Sequence, residues 1–433
     1  MSAHDVEQTE AALIALDLAR RGDFAAVLAM FAPAPQRRLT AAAIASAWQS
    51  NVGRHGAIWS LDPSGIHSDS GVTEVSVVLR TASTDLQSVV SLDRRGRLLN
   101  LQVTPIAVPW HHPEYAAPDS FDEFEVVLGD RPLAVGGTLS VPRAAAGGAS
   151  GRVPAVVLLG GGGPFDRDMT MGNNRIGKDL AWGLASRGIA VLRFDKPSQA
   201  HPDLVARSGG ITPTDEYLPF GAAAVDLLRG HPAVDASRIV IVGHSMGGSY
   251  APRVAAARPE VSGLVLLAAE AQPMNRAAVR VMNYLADLDP TSQALRTAAT
   301  TMATLAANVD SPQLSRRTDP RTLPFGYSGA YWLDVRDYDP IRTAAEAGRP
   351  MLILQGGRDY QVTVSDDLAL WRAAFDGWDD VSIRVYEADD HLFFAGTGRS
   401  TPASYEPRQH VDESVVADIA DWIARPRVVA AGA

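Results

Sequence analysis

Ile239-Val240-Ile241-Val242 runs straight into Gly243-His244-Ser245-Met246-Gly247-Gly248, and an alanine-rich stretch from Ser249 to Arg258 follows. Four β-branched residues in a row predict a buried strand, and the alanine-rich continuation predicts a helix. Only a very tight turn fits between them. In a Gly-x-Ser-x-Gly elbow the serine sits at the apex of such a strained turn. The flanking glycines matter because strand and helix leave no room there for side chains. The following helix aims its N-terminal amides at any charge developing near Ser245. Ser245 is therefore a candidate nucleophile.

From about Phe121 onward, strand and helix patterns alternate. Phe124 to Leu128 and Ala134 to Val141 read as a hairpin. Apolar runs follow at Ala155–Leu159, Ala190–Phe194, Ile239–Val242, Leu264–Ala268, Met351–Gln355 and Val381–Tyr386. Apolar strands separated by helical stretches imply a doubly wound, mostly parallel sheet covered on both faces, an α/β fold. Ala144 to Gly151, rich in Ala and Gly, reads as a surface loop. One segment, Glu270 to Gly348, exceeds what a crossover needs. It carries helical stretches near Ala277–Leu288 and Ser292–Val309 and the aromatics Tyr327, Tyr331 and Trp332. The expectation is a helical cap whose three aromatics contact substrate.

Residues 1–112 read as a separate small α+β domain. Glu7 to Arg21 has helical periodicity and stops at Gly22, Asp23 caps a short helix, and Thr40 opens a third. Val72–Ala82, Leu86–Asp93 and Leu98–Thr104 then read as antiparallel strands. No catalytic constellation is visible there. Pro105 to Pro118 holds four prolines and the pair His111-His112. A linker over 113–120 leads into the large domain, 121–433, and the histidine pair reads as solvated, with no further ligand cluster nearby.

Composition narrows the chemistry. The 433 residues are 46% hydrophobic and 20% charged, with a net charge of −10 and no cysteine. Two domains are expected at this length. Disulfides, thiolate metal sites and a thiol nucleophile are excluded. No basic run makes a phosphate footprint, so a nucleic-acid partner is not expected. Neither a signal peptide nor an 18-residue apolar span is visible, which gives a cytoplasmic location and no membrane partner as the expectation. Pairing through the small domain's sheet would make a homodimer.

A serine hydroxyl needs a base to take its proton. In this architecture the chain order is Ser, acid, His. After Ser245 there are two histidines, His391 and His410. His391 lies just past the last apolar strand, where catalytic groups gather in open α/β sheets; His410 sits in a polar loop and reads as solvated. Asp359, after Met351–Gln355, is the acid at the right end of its strand. Asp389 and Asp390 adjoin His391 and would have to fold back on it, and Asp366 and Asp367 read as helix-start residues. The amide of Met246 supplies one oxyanion donor. The loop Gly160-Gly161-Gly162-Gly163 supplies the second, from Gly161 or Gly162. Asp166, Arg167 and Asp168 read as an ion-pair network, and Lys196 and Glu216 as structural.

With these motifs in place, residues 120–425 resemble the α/β-hydrolase superfamily, and most of all a bacterial branch of serine esterases with a small N-terminal domain of unknown function. Gly163-Pro164-Phe165-Asp166-Arg167-Asp168, Gly188 to Lys196, Gly243 to Gly248, Gln355 to Val362 and His391-Leu392-Phe393 carry the resemblance. It implies hydrolysis of a small-molecule ester or thioester by Ser245, Asp359 and His391, without cofactor or metal. Members also act as thioesterases, acyltransferases, lyases and cyclases, so acyl transfer or cyclisation in secondary metabolism is the alternative activity. A non-catalytic binding protein on a hydrolase fold is the alternative of another class.

Overall fold

Val75, Val77 and Leu79 alternate with more polar neighbours, and this period-two pattern places one face of a sheet against helices. The computed structural model describes residues 2–53, 56–81, 85–106, 109–143 and 151–425. The chain divides into two compact units, one of residues 1–109 with 402–408, the other of 110–401 with 409–433.

In the first unit, helices Ala3–Arg20, Phe24–Ala29, Pro33–Gln36 and Ala41–Asn51 precede four strands. Asp23 accepts from the Ala26 amide and Thr40 from that of Ala43, so both caps act as their residue types dictate. Strands β1 (Ser60–Asp69), β2 (Val72–Arg80), β3 (Leu86–Asp93) and β4 (Leu98–Pro105) pair consecutively and antiparallel. Strand β1 escapes sequence patterning because Pro63 and Gly65 interrupt it. The register shifts between them, and the strand lies at the edge, where proline costs no ladder bond. Ala12, Leu16 and Val27 meet Val75, Val90 and Leu92 in this unit's core.

In the second unit the strands are β5 (Phe121–Leu128), β6 (Val135–Pro142), β7 (Val153–Leu159), a two-residue pair β8 (Thr170–Met171) and β9 (Asn174–Arg175), then β10 (Ala190–Phe194), β11 (Val234–His244), β12 (Val261–Leu267), β13 (Met351–Gly356) and β14 (Val381–Tyr386). The main sheet has the order β14-β13-β12-β11-β7-β10-β6-β5. The hairpin β5–β6 joins antiparallel at one edge, and the remaining strands are parallel. Strand β7 and the Ile239–Val242 stretch of β11 are almost wholly buried and apolar because helices cover both faces. The fold is that of an α/β hydrolase. Most of the Ala144 to Gly151 segment lies outside the described residues.

The segment expected to be a linker is anchored from Trp110 onward. The Trp110 indole donates to Asp179 at 3.0 Å and packs edge-on against Trp182, and His112 stacks on the same Trp182. His410 is also not simply solvated: its Nδ1 lies 3.1 Å from Asp179, whose carboxylate further accepts from the Val411 amide. No helix among the described residues is long and apolar enough to cross a membrane.

Between β12 and β13, helices Met274–Leu288, Gln293–Val309, Gly329–Arg336 and Pro340–Ala347 make the insertion. Asp367 lies in the first turn of the helical segment Val364–Leu368, as a helix-start residue should, and is also a fully buried anchor for the insertion. Its carboxylate accepts from the amides of Ala271, Gln272 and Thr363 and pairs with Arg280 at 3.0 Å. Trp332 is fully buried, with its indole N–H on the Pro324 carbonyl. Replacing so large a core side chain by alanine typically costs about 3–5 kcal/mol. Trp332→Ala should therefore lower the denaturant midpoint markedly, as followed by circular dichroism.

Candidate active site

The elbow at the end of β11 is built from backbone crowding. A Cβ on Gly243 would strike the carbonyl of Gly247, and one on Gly247 would strike the carbonyls of Leu159 and Gly160. Between these glycines Ser245 takes φ 53°, ψ −123°, a conformation that L-residues adopt only under constraint. Its amide bonds the Leu267 carbonyl at 2.8 Å, and its carbonyl accepts from Gly248. Ser245 stands on the loop that opens helix Met246–Ala257, so the first amides of that helix surround it.

At the carboxyl ends of β13 and β14, Asp359 and His391 meet. His391 Nδ1 lies 2.7 Å from Asp359 Oδ2, both side chains being almost wholly buried. The same carboxylate accepts from Gln355 Nε2 and from the amides of Gln361 and Val362, which fix its plane. Asp390, adjacent to His391, turns the other way and accepts from the amides of Leu392 and Phe394 in its own loop. Burial opposes the His391 imidazolium. The Asp359 carboxylate, through charge and hydrogen bond, with Glu270 and Asp390 behind it, outweighs that and holds His391 above its ordinary value.

His244 joins the two halves and was not singled out from the sequence, although it sits inside the elbow motif. Its Nε2 lies 2.8 Å from the His391 carbonyl, an acceptor, so this nitrogen carries the proton and donates. Burial, then the neighbouring His391, pushes its pKa down to about 3, so the ring stays neutral.

The glycine loop after β7 is clamped from below. Lys196 Nζ donates to the Gly161 carbonyl at 2.8 Å and lies 3.0 Å from both Tyr217 Oη and Glu216. The Tyr217 hydroxyl also lies 2.8 Å from the carbonyls of Gly160 and Gly161. Burial depresses the Lys196 ammonium despite Glu216. In a trans peptide the carbonyl and the following N–H point in opposite directions. The Gly162 N–H is therefore directed away from Lys196. Alongside, Arg167 pairs with Asp195 and Glu125, and Asp168 with Arg193, while Asp166 bonds Thr170.

These pieces open on one cavity of about 350 Å³. Gly161, Gly162, Ser245, Met246 and His391 line it, together with Glu270 and Gln361, two polar residues that sequence patterning did not mark. Most of the remaining wall is apolar. It includes Met169, Met171, Met246, Met274 and Met282, five of the chain's nine methionines. The insertion contributes Met274, Ala277, Ala278, Val281, Met282, Phe325 and Tyr327. Of the three aromatics expected to contact substrate, only Tyr327 is in the wall. Tyr331 backs it, its hydroxyl against the sulfurs of Met246 and Met274, and Trp332 is core. Tyr331 and Trp332 are adjacent on the helix Gly329–Arg336 and so face different directions, whereas Tyr327 lies in the loop before it.

Residues 156–403 match the model of the alpha/beta hydrolase family. The esterase EstD of Thermotoga maritima is 33% identical over 344 residues, covering 79% of this chain and 77% of that protein. The 2,6-dihydropseudooxynicotine hydrolase of Paenarthrobacter nicotinovorans is 30% identical over 112 residues, 26% of this chain and 27% of its own. Among solved structures, an esterase of Pyrococcus furiosus covers 73% of this chain with 97% of its own length, at 16% identity and a TM-score of 0.45. With a family match across more than half its length and a relative one-third identical along most of both chains, the protein belongs to the alpha/beta hydrolase family and is a carboxylesterase-like hydrolase.

Proposed function

We propose that the protein cleaves a carboxylic ester of a small to medium hydrophobic substrate through a covalent acyl-enzyme on Ser245. The observation that carries this reading is the convergence on one apolar cavity of a serine on a strained elbow and a buried histidine–aspartate pair. The esterase relative from Thermotoga maritima supports the same class.

In this mechanism His391 Nε2 takes the proton of Ser245 Oγ as the oxygen attacks the ester carbonyl. Asp359 holds Nδ1 protonated and stabilises the imidazolium that forms. The amides of Met246 and Gly162 donate to the developing oxyanion, with Gly161 the neighbouring alternative. The imidazolium then protonates the leaving alcohol, and a water activated by the same histidine releases the acid. Tyr327 and the methionines hold the acyl or alcohol group. The residues of the insertion act as a cap that selects it, and Tyr331 acts through Tyr327 and Met246. The N-terminal unit takes no part in the chemistry.

A fluorophosphonate probe should label the protein once, at Ser245, and Ser245→Ala should abolish labelling; label elsewhere, or none on folded protein, would favour a binding protein on a hydrolase fold. Asp359→Asn should lower turnover by about 10⁴, as loss of a triad acid does, and Asp390→Asn far less. Because a neutral His391 is the base and its pKa is raised, the acidic limb of kcat/KM should lie above 6.5 and move down in Asp359→Asn.

Lys196 acts through the peptide it pins. Lys196→Met leaves Glu216 buried without its partner, which costs about 3–5 kcal/mol. Lys196→Met with Glu216→Leu should recover that stability in thermal melts, yet kcat should stay depressed by about 10- to 100-fold as the oxyanion donor loses its aim. Recovery of kcat along with stability would assign Lys196 to folding alone.

Nitrophenyl esters of rising chain length should be cleaved with increasing kcat/KM until the cavity is filled. If every simple ester fails while the probe still labels Ser245, acyl transfer, thioester cleavage or ring closure replaces ester hydrolysis as the reading.

A further inference from the structure

Glu270 stands three residues past β12, the strand beside the one that carries Ser245, and it lines the cavity. Its backbone carbonyl accepts from Ser249 Oγ at 2.8 Å. Its carboxyl has no hydrogen-bond or ion-pair partner among the described residues. The groups that act on it are Asp367 and Asp359, which disfavour its charge, and His391 and Arg280, which favour it. Arg280 is already engaged, with Asp367 and with the carbonyls of Tyr360 and Gln361. Burial foremost, then Asp367, pushes Glu270 up to about 7.

A lone carboxyl in an apolar cavity is costly unless something pairs with it. Nothing in the proposed catalytic steps requires it: the acid paired with His391 is Asp359, and the proposed oxyanion donors are backbone amides. The wall around it carries no lysine or arginine, and it includes three aromatic rings, Phe165, Phe325 and Tyr327, a residue type whose face attracts an ammonium group. Thioethers, being polarizable, suit the alkyl shell of such a group. A neutral hydroxyl would satisfy the carboxyl too, but it would gain nothing from the aromatic faces.

We infer that Glu270 forms a cation subsite, so that the preferred substrate is an ester whose acyl or alcohol part carries an alkylammonium group. This rests on the serine-esterase reading and names its substrate class. The attraction requires the Glu270 carboxylate. It is present above the raised pKa and is lost as pH falls through about 7.

The test uses two nitrophenyl esters of the same shape, one of 4-(trimethylammonio)butyrate and one of 5,5-dimethylhexanoate. The charge of the first is permanent, and both share the titration of His391, so the ratio of their kcat/KM values isolates Glu270. That ratio should favour the cation by about tenfold or more near pH 8. It should fall toward one as pH drops through about 7, and Glu270→Gln should remove both the preference and its pH dependence. A neutral ester preferred in the parent, or a ratio untouched by Glu270→Gln, overturns the cation subsite while leaving the esterase reading standing. Binding of the two free acids to Ser245→Ala provides the independent arm. Selective binding of the trimethylammonium acid, lost on adding Glu270→Gln, supports the subsite even if no ester turns over, in which case the hydrolysis reading alone falls; equal binding of both acids there overturns the subsite.

Discussion

Backbone packed directly on backbone is the constraint from which the rest of the site follows. Gly243 and Gly247 let β11, the following helix and the loop after β7 approach to distances that any side chain would forbid. That closeness holds Ser245 at positive φ. Surrounding structure must over-determine such a conformation for it to persist. Here the Ser245 amide on Leu267 and the buried flanks of β11 do so. The same crowding sets the glycine loop beside the serine, so Ser245 and the proposed oxyanion donors are positioned by one packing event rather than two.

Electrostatics then divides the titratable groups by neighbourhood. His391 and His244 have rings 4.8 Å apart, yet they are driven in opposite directions. His391 faces Asp359 and becomes more basic. His244 faces only a carbonyl and another histidine, and becomes a fixed neutral donor. Of this pair, only His391 is placed to take a proton, which singles it out as the candidate base without any difference in residue type.

Fold class was legible because its signals are local. Runs such as Ile239–Val242 and Met351–Gln355 carry apolar periodicity in the chain itself, and the elbow glycines mark the turn. Strand β1 was not legible, since Pro63 and Gly65 break its pattern and its partner is what makes it a strand. At the site, Ser245, Asp359 and His391 could be picked out as candidates from chain order and their places after strands, and the fold brings Asp359 and His391 into contact. Glu270 and Gln361 could not, because facing a cavity is a property of packing between elements far apart in sequence. The insertion shows the same limit. Its aromatics were visible as composition, but which of Tyr327, Tyr331 and Trp332 lines the cavity depends on how loop and helix pack, and only Tyr327 does. Asp367 and His410 were underestimated for a related reason: their partners, Arg280 and Asp179, lie far away along the chain.

The methionine wall has a consequence of its own. Unbranched thioethers change rotamer easily, so a surface built from them conforms to guests of differing outline more readily than one of valine or isoleucine. The same atoms are the soft spot of a chain that has no cysteine to intercept oxidants. Oxidation of a methionine to its sulfoxide would convert an apolar, compliant surface into a polar and chiral one. Five such positions ring the cavity, so oxidative damage would fall first on the shape and polarity of its wall, and the buried His391–Asp359 contact would outlast it.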